Sequence, residues 1–309
     1  MKLNSTLKQI AAALIMLLGT YTAQAQNEPV IAHYMYHTHV FNPAVSGSTR
    51  DIYLAAVARQ QWVGYKEAPS TQVLNAYGYI AKIRGGVGFV FTNDMLGKQR
   101  FTNLRVSYAY SQRLNERSRL SIGLGVGFTN SFVKGSELIY QQTGDQSGIY
   151  SNQSKFKAYL SAGLEFYGYG LTAGFSVTNL NQSLGKSTPF RVPRHYFGYV
   201  KYDWDINEKA RLTPAVFVRS IDFTAQAEIN ISATIKKRVI VGVLYRTIDA
   251  AGLMLGVHIT KHLTASYSYD FDFGELRKHQ TGSHELNLVY RFDGPKPKKV
   301  FLKSPRYLN

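Results

Sequence analysis

Between Leu120 and Phe128 apolar and small or polar positions alternate without a break. Leu120, Ile122, Leu124, Val126 and Phe128 interleave with Ser121, Gly123, Gly125 and Gly127. Successive side chains of a strand point to opposite faces, so this stretch predicts a strand with one wholly apolar face. The same division recurs. Leu104, Val106, Tyr108 and Tyr110 oppose Asn103, Arg105, Ser107 and Ser111. Ala225, Ala227, Ile229, Ile231, Ala233 and Ile235 oppose Gln226, Glu228, Asn230, Ser232 and Thr234, and Leu286, Leu288, Tyr290 and Phe292 oppose Glu285, Asn287 and Arg291. Extended along the chain, the periodicity predicts about fourteen strands, near residues 50–62, 71–81, 85–92, 100–113, 118–130, 156–167, 169–178, 194–204, 210–221, 224–236, 238–247, 250–260, 262–273 and 282–293. A soluble sandwich also alternates, but uniformly apolar outer faces with Tyr and Phe at the strand ends fit lipid and its aromatic belts better. The predicted fold is all-β: a closed transmembrane antiparallel β-barrel whose even strand number returns both chain ends to the periplasmic side.

The connections sort by length. Short turns are expected at Ile83-Arg84, Asn115 to Arg117, Gly168, Ile206 to Lys209, Lys237 and Lys261, on the periplasmic side. Longer links, expected outside the cell, run from Val63 to Ser70, Asn93 to Gln99, Ser131 to Lys155, Asn179 to Pro193 and Gly274 to Thr281. The alternation turns Arg59, Arg105, Lys157, Glu165, Lys201, Asp203, Arg219, Glu228, Arg246, Asp270, Asp272, Glu285 and Arg291 toward the lumen. Of these, Arg219 is expected near Glu228, and closure should bring Arg59 near Glu285 or Arg291. Such charges can line a polar interior, an anion-selective pore or a surface that grips a polypeptide, and a barrel of this size can be open or plugged.

Composition separates this barrel from a helical membrane protein. The chain has 22 Tyr, 17 Phe and 26 Gly against 9 Pro, yet its mean hydropathy is only -0.19. A wall in which only alternate residues must be apolar accounts for both. At the start, Lys2 and Lys8 precede an apolar stretch from Ile10 to Gly19, and Ala23-Gln24-Ala25 follows. That is the pattern of a secretory signal peptide cleaved after Ala25, too short to span a bilayer as a helix. The formal charge of +17 falls to about +15 once those two lysines leave. No cysteine occurs, which rules out disulfides, thiolate metal sites and a thioether-linked lipid anchor.

No enzymatic chemistry is predicted. His33, His37 and His39 cluster ahead of the first strand, but no carboxylate or thiolate joins them at ligand-like spacing, and the segment reads as a plug. Gly85, Gly86 and Gly88 lack the third glycine and following helix of a phosphate-cradling loop; they are expected as inward positions where space is scarce. A membrane lipid hydrolase needs an outward Ser and His at the boundary, for which the last strand offers only His284. Neither a catalytic residue nor a cofactor or metal ligand is assigned. Beyond Phe292 the chain alternates Pro295, Lys296, Pro297, Lys298 and Lys299 and ends with Lys303, Pro305 and Arg306, an extended basic tail expected in the periplasm.

One stretch is more specific. His33-Tyr34-Met35-Tyr36, then Phe41-Asn42-Pro43-Ala44-Val45-Ser46-Gly47, then Arg59-Gln60-Gln61-Trp62, then Ala68-Pro69-Ser70-Thr71 follow one another in order. This series resembles the PorP/SprF family of type IX secretion system outer-membrane proteins, closely over residues 33 to 71 and as a barrel pattern beyond. Each part also has a physical reading: Pro43 removes a backbone donor, Gly47 permits positive φ, Trp62 suits an interface belt and Pro69 closes a loop. The resemblance implies a component for export or surface attachment of cargo bearing a C-terminal sorting domain, in some relatives linked to gliding. Its implied partners are a periplasmic peptidoglycan-associated protein and motor-linked ring components; nucleic acid is not among them. Partner contacts are expected at Phe41, Asn42, Pro43, Gly47, Trp62, Lys296, Lys298 and Lys299, and at the outer loops. The expected organisation is a signal peptide over 1–25, a segment at the lumen or periplasmic mouth over 26–49, the barrel over 50–293 and the tail over 294–309. A passive porin or solute channel of the outer membrane is the alternative.

Overall fold

The computed structural model describes residues 30–138, 149–182, 193–221, 224–247, 250–273 and 278–294. The predicted signal peptide, the middle of the longest outer loops and the tail beyond Gly294 lie outside them. Fifteen strand elements follow a short helical segment. They are β1 (Ile52–Gln60), β2 (Ser70–Ile80), β3 (Gly85–Leu96), β4 (Gln99–Asn115), β5 (Ser118–Val133), β6 (Gln153–Gly168), β7 (Leu171–Thr178), β8 (His195–Tyr202), β9 (Trp204–Asn207), β10 (Ala210–Ile221), β11 (Thr224–Ile235), β12 (Val239–Arg246), β13 (Ala250–His258), β14 (Leu263–Asp272) and β15 (Ser283–Phe292). Both β8 and β9 pair with β10, with a break around Asp203, whose N–H turns instead to the Gly170 carbonyl (2.9 Å), and a register shift between Ala210 and Arg211, so the two form one stave. Every stave pairs antiparallel with its neighbours, and β1 with β15 from Ile52↔Phe292 to Gln60↔His284, closing a fourteen-strand barrel. Closure is what makes the wall viable in lipid, where an unpaired backbone edge would cost several kcal/mol per group, on the order of the desolvation penalty.

The outward set is the one that the alternation marked. Val106, Leu124, Val126, Leu160, Leu253, Leu255 and Leu286 are among the most exposed apolar side chains, while their strand neighbours are buried. Aromatic rings gather near both rims on this outer face. Tyr108, Tyr110, Tyr202, Trp204 and Phe292 lie toward the rim that holds the chain ends, and Phe128, Phe156, Tyr245, Phe271 and Phe273 toward the other. The belts mark the two interfaces of a bilayer. The rim with Ile52 and Phe292 also carries the short turns, and outer-membrane barrels turn that rim to the periplasm.

Two expectations are corrected. The link from Asn93 to Gln99 is not a loop: β3 and β4 stay paired up to Leu96↔Gln99 and turn over Gly97-Lys98 alone, with Gly97 at φ 58. Polar side chains there misled the reading, because a ladder that rises above the lipid keeps its backbone bonds whatever its side chains. Gly85 does not face inward. A Cβ there would meet the outward Tyr108 ring at 2.5 Å, whereas Gly86 and Gly88 face the lumen. The wall predicts its own test: Leu124→Arg, on the lipid face at 64 % exposure, should destabilise the barrel by roughly 2–4 kcal/mol in urea unfolding from lipid vesicles.

Candidate functional site

The lumen is occupied by the chain's own N-terminal segment. A 3-10 turn (Tyr34–Tyr36), one helical turn, α1 (Thr38–Phe41), and a second 3-10 turn (Pro43–Gly47) run down the inside of the barrel before β1 begins. Asn42 and Pro43 make the bend between the last two. The Asn42 Oδ1 accepts from the Ala44 N–H at 2.9 Å, and Pro43 starts the next turn, where its missing N–H costs nothing. Asn42 Nδ2 then donates to the Leu164 carbonyl (2.9 Å) and the Tyr199 hydroxyl (3.1 Å) of the wall. Arg105 on β4 donates to the Val40 carbonyl (2.9 Å) and to that of His39, closing the free carbonyls of α1, and Ser176 on β7 donates to Phe41 (2.9 Å).

The fit is steric as well as polar. A Cβ on Gly86 would stand 1.7 Å from the Ser46 carbonyl oxygen, one on Gly88 2.3 Å from the His39 ring, one on Gly123 2.3 Å from the Ala44 nitrogen and one on Gly163 2.1 Å from Asn42 Oδ1. The small-residue inner face of β3, β5 and β6 is the seat on which the plug lies. On the far side an apolar core fills the lumen: Tyr34 stacks on Phe217 (4.9 Å between ring centroids), and Phe41 packs against Phe197 (5.2 Å) and Phe217 (4.8 Å). The interior is thus partly a hydrophobic core and not only a polar lining.

Each plug histidine meets a different stretch of wall. His37 accepts from Asn75 Nδ2 at 2.7 Å and donates to Asn287 Oδ1 at 2.7 Å, a pattern that needs the neutral ring. His39 bonds Ser107 and Ser46, both at 2.9 Å. His33 Nδ1 lies 2.6 Å from Glu285, which also accepts from the Ala32 and His33 N–H groups at 2.8 and 2.9 Å. No group of three metal-binding side chains forms among the described residues. Glu285 belongs to a buried network in the outer half of the lumen. Arg59 bridges Glu285 (3.3 Å) and Asp270 (2.6 Å), and Arg246 bridges Glu228 (2.7 Å) and Asp270 (3.5 Å). Arg219 is buried on β10 with its guanidinium 5.7 Å from the Phe217 ring, and the register sets it opposite Gln226, next but one to Glu228.

Below the plug a bowl of about 570 Å³ opens at the periplasmic rim, floored by Tyr36, Thr38 and Val45. Glu165, Lys201, Asp203 and Arg291 line it, so these inward charges sit apart from the outer network. Lys157 is half-buried on the inward side of β6 near the outer rim. Trp62 is half-buried in the first outer loop at φ 45, its N–H donating to Ser283 Oγ at 3.2 Å. Phe41, Asn42, Pro43 and Gly47 are corrected: they are buried between plug and wall and present nothing to a partner, because the chain itself completes their contacts. Gly47 is not at positive φ either; a Cβ there would lie 3.2 Å from Ser111 Cβ, so close approach is its reason. Lys296, Lys298 and Lys299 lie outside the described residues. Asn75, Asn287, Ser107 and Ser176 hold the plug and were not singled out in the sequence, where their only signal is a polar residue at an inward position.

Two outcomes are expected. Gly86→Val should unseat the plug and give ion current in planar bilayers, where the parent barrel is closed, while Gly198→Val, which meets nothing within 4 Å, should leave the current unchanged. Glu285→Ala should lower stability in urea unfolding by roughly 3–5 kcal/mol, since it strands two buried backbone donors and removes one of the two carboxylates that hold Arg59.

The solved structures similar to this chain are outer-membrane barrels. The Ralstonia pickettii toluene transporter TbuX superposes with a TM-score of 0.52 at 10 % identity, over 84 % of this chain and 93 % of that one. The Acinetobacter baumannii outer membrane protein Omp33 gives 0.50 at 9 % identity, over 80 % of this chain and 100 % of that one. The CymD monoaromatic hydrocarbon channel gives 0.50 at 9 % identity, over 84 % and 93 %. At these identities the likeness is one of fold. No curated protein matches the sequence. A family profile, however, matches residues 23–290, which takes in the whole plug and nearly all of the wall. With its outer-membrane barrel and that match, the chain belongs to the family described as type IX secretion system membrane protein PorP/SprF.

Proposed function

We propose that this outer-membrane protein works in type IX secretion as a closed docking barrel, which binds cargo or envelope partners and does not conduct solutes. The observation that carries the reading is the filled lumen. A channel needs a continuous aqueous path, whereas here the 3-10 turns and α1 bond wall residues on β2, β4, β6, β7 and β15, and an apolar core closes the remaining space. The two faces left for partners are the outer loops around residues 131–155 and 179–193 and the periplasmic rim with its bowl. Cargo bearing a C-terminal sorting domain would meet the outer loops. A peptidoglycan-associated protein and motor-linked ring components would meet the rim, as would the basic tail. A role in surface attachment or gliding follows if the cargo is an adhesin.

The porin alternative has the similarity to channel structures in its favour, but that similarity is one of fold. Affinity purification of the tagged chain from its native envelope should bring down other secretion components in stoichiometric amounts. Recovery of the barrel alone, together with a steady single-channel current, would replace the docking reading with the channel.

A further inference from the structure

The periplasmic bowl is a cavity whose charges are not balanced at the level of hydrogen bonds. Its carboxylates are mostly taken up by the chain itself. Asp51 accepts from the Gly294 N–H (3.1 Å), Asp203 from the Thr213 hydroxyl (2.9 Å), Asp205 from Arg211 (2.6 Å) and Glu165 from the Tyr199 hydroxyl, leaving Glu208 on the rim turn. Of its cations only Arg211, on Asp205, is taken up in the same way. Arg119, Lys201, Lys209, Lys237 and Arg291 all line the bowl, and none has a side-chain hydrogen bond or ion pair among the described residues. The Nε of Arg119 is buried without an acceptor. Arg119 lies over the Tyr167 ring at 4.8 Å and Arg291 over the Tyr53 ring at 5.7 Å. A cation held over a ring in this way keeps its N–H donors available for a two-oxygen acceptor such as a carboxylate.

The geometry points to the bowl as a binding site for a short acidic segment, rich in Asp or Glu, of a periplasmic protein. The volume of about 570 Å³ falls in the range of sites that enclose a small ligand or a few residues. The bowl is blind, since the plug floors it, so a ligand enters and leaves by the periplasmic rim and is held, not passed on. A lipid headgroup is tethered outside the wall and does not reach this interior face. Residues 295–309 carry Lys296, Lys298, Lys299, Lys303 and Arg306 and no Asp or Glu, so their side chains do not supply the acidic groups such a site would take. Gly294 is bonded to Asp51 at the rim, and the cations that follow it in the sequence would add to the field that attracts an anionic partner. This inference rests on the docking reading above and specifies the chemistry of one of its partners.

The test uses the full mature protein in detergent with a fluorescein-labelled hexaglutamate peptide, followed by anisotropy. The parent should bind it in a salt-sensitive way, with hexaglutamine showing no binding and inorganic phosphate competing poorly. The triple variant Arg119→Gln, Lys201→Gln, Arg291→Gln should lose at least about tenfold in affinity, the size expected for removing charge-assisted hydrogen bonds, while its heat-modifiable migration shows an intact barrel. Removal of residues 295–309 should slow association yet keep the site. Binding that survives the triple variant, that vanishes with the tail alone, or that phosphate displaces as readily as the peptide would overturn the assignment. The envelope purification is read separately. Partners that co-purify while the peptide fails to bind would refute the acidic-segment site and leave the docking reading intact.

Discussion

Everything in this structure depends on the requirement that no backbone N–H or C=O face hydrocarbon unpaired. A ladder that meets the requirement must close, and closure between β1 and β15 fixes the register of the remaining staves through a chain of antiparallel pairs. Side chains are then divided without choice into those that see lipid and those that see the lumen. The lipid side was solved cheaply, by branched aliphatics in the middle and rings at the edges. The lumen side is where this protein differs from a pore. Its small residues, buried amides and charges are fitted to a segment of the same chain, so that the space a porin would give to water is given to protein.

The division of the lumen follows from how the plug is held. In the outer half, carboxylates and guanidinium groups from β1, β11, β12, β14 and β15 pair with one another and with His33 out of reach of water. Such a network gains little net stability over an apolar core, but it discriminates strongly against any arrangement that breaks one partner away. In the middle, glycines and rings fix the plug by contact. At the inner rim the pairing is incomplete, and Arg119, Lys201 and Arg291 make no side-chain hydrogen bond among the described residues. The gradient from a sealed outer half to an open inner mouth lined by both signs of charge gives the barrel a direction, with one end that locks and one that receives.

Much of the fold was legible in the sequence because a two-residue period has one structural meaning when its apolar face carries Leu, Val and aromatic rings. All fourteen staves lie where the alternation puts them, and the family resemblance over residues 33 to 71 agrees with the profile match. The ends of strands were harder. Asn93, Asp94 and Arg100 look like loop residues, yet they sit on a hairpin standing above the lipid, where side-chain polarity no longer reports backbone pairing. The plug contacts were harder still. Gly86, Gly123 and Gly163 are as small as a crowded inner face would need for any reason, and only the position of Asn42 and Ser46 against them shows which neighbour imposed the limit. Arg59 with Glu285 was legible, since closure forces the first and last strands together. Arg246 with Glu228 and Asp270 spans three strands and needed coordinates.

The seam between β1 and β15 carries one more implication. Arg59 sits on the first strand, Glu285 on the last, and the same carboxylate receives the two amides at the top of the plug. Sealing the cylinder and tying the top of its plug therefore share one residue: a chain that has not yet delivered its final strand has neither a finished wall nor a partner for the amides of Ala32 and His33. The strand that completes the wall is thus also one that holds what fills it.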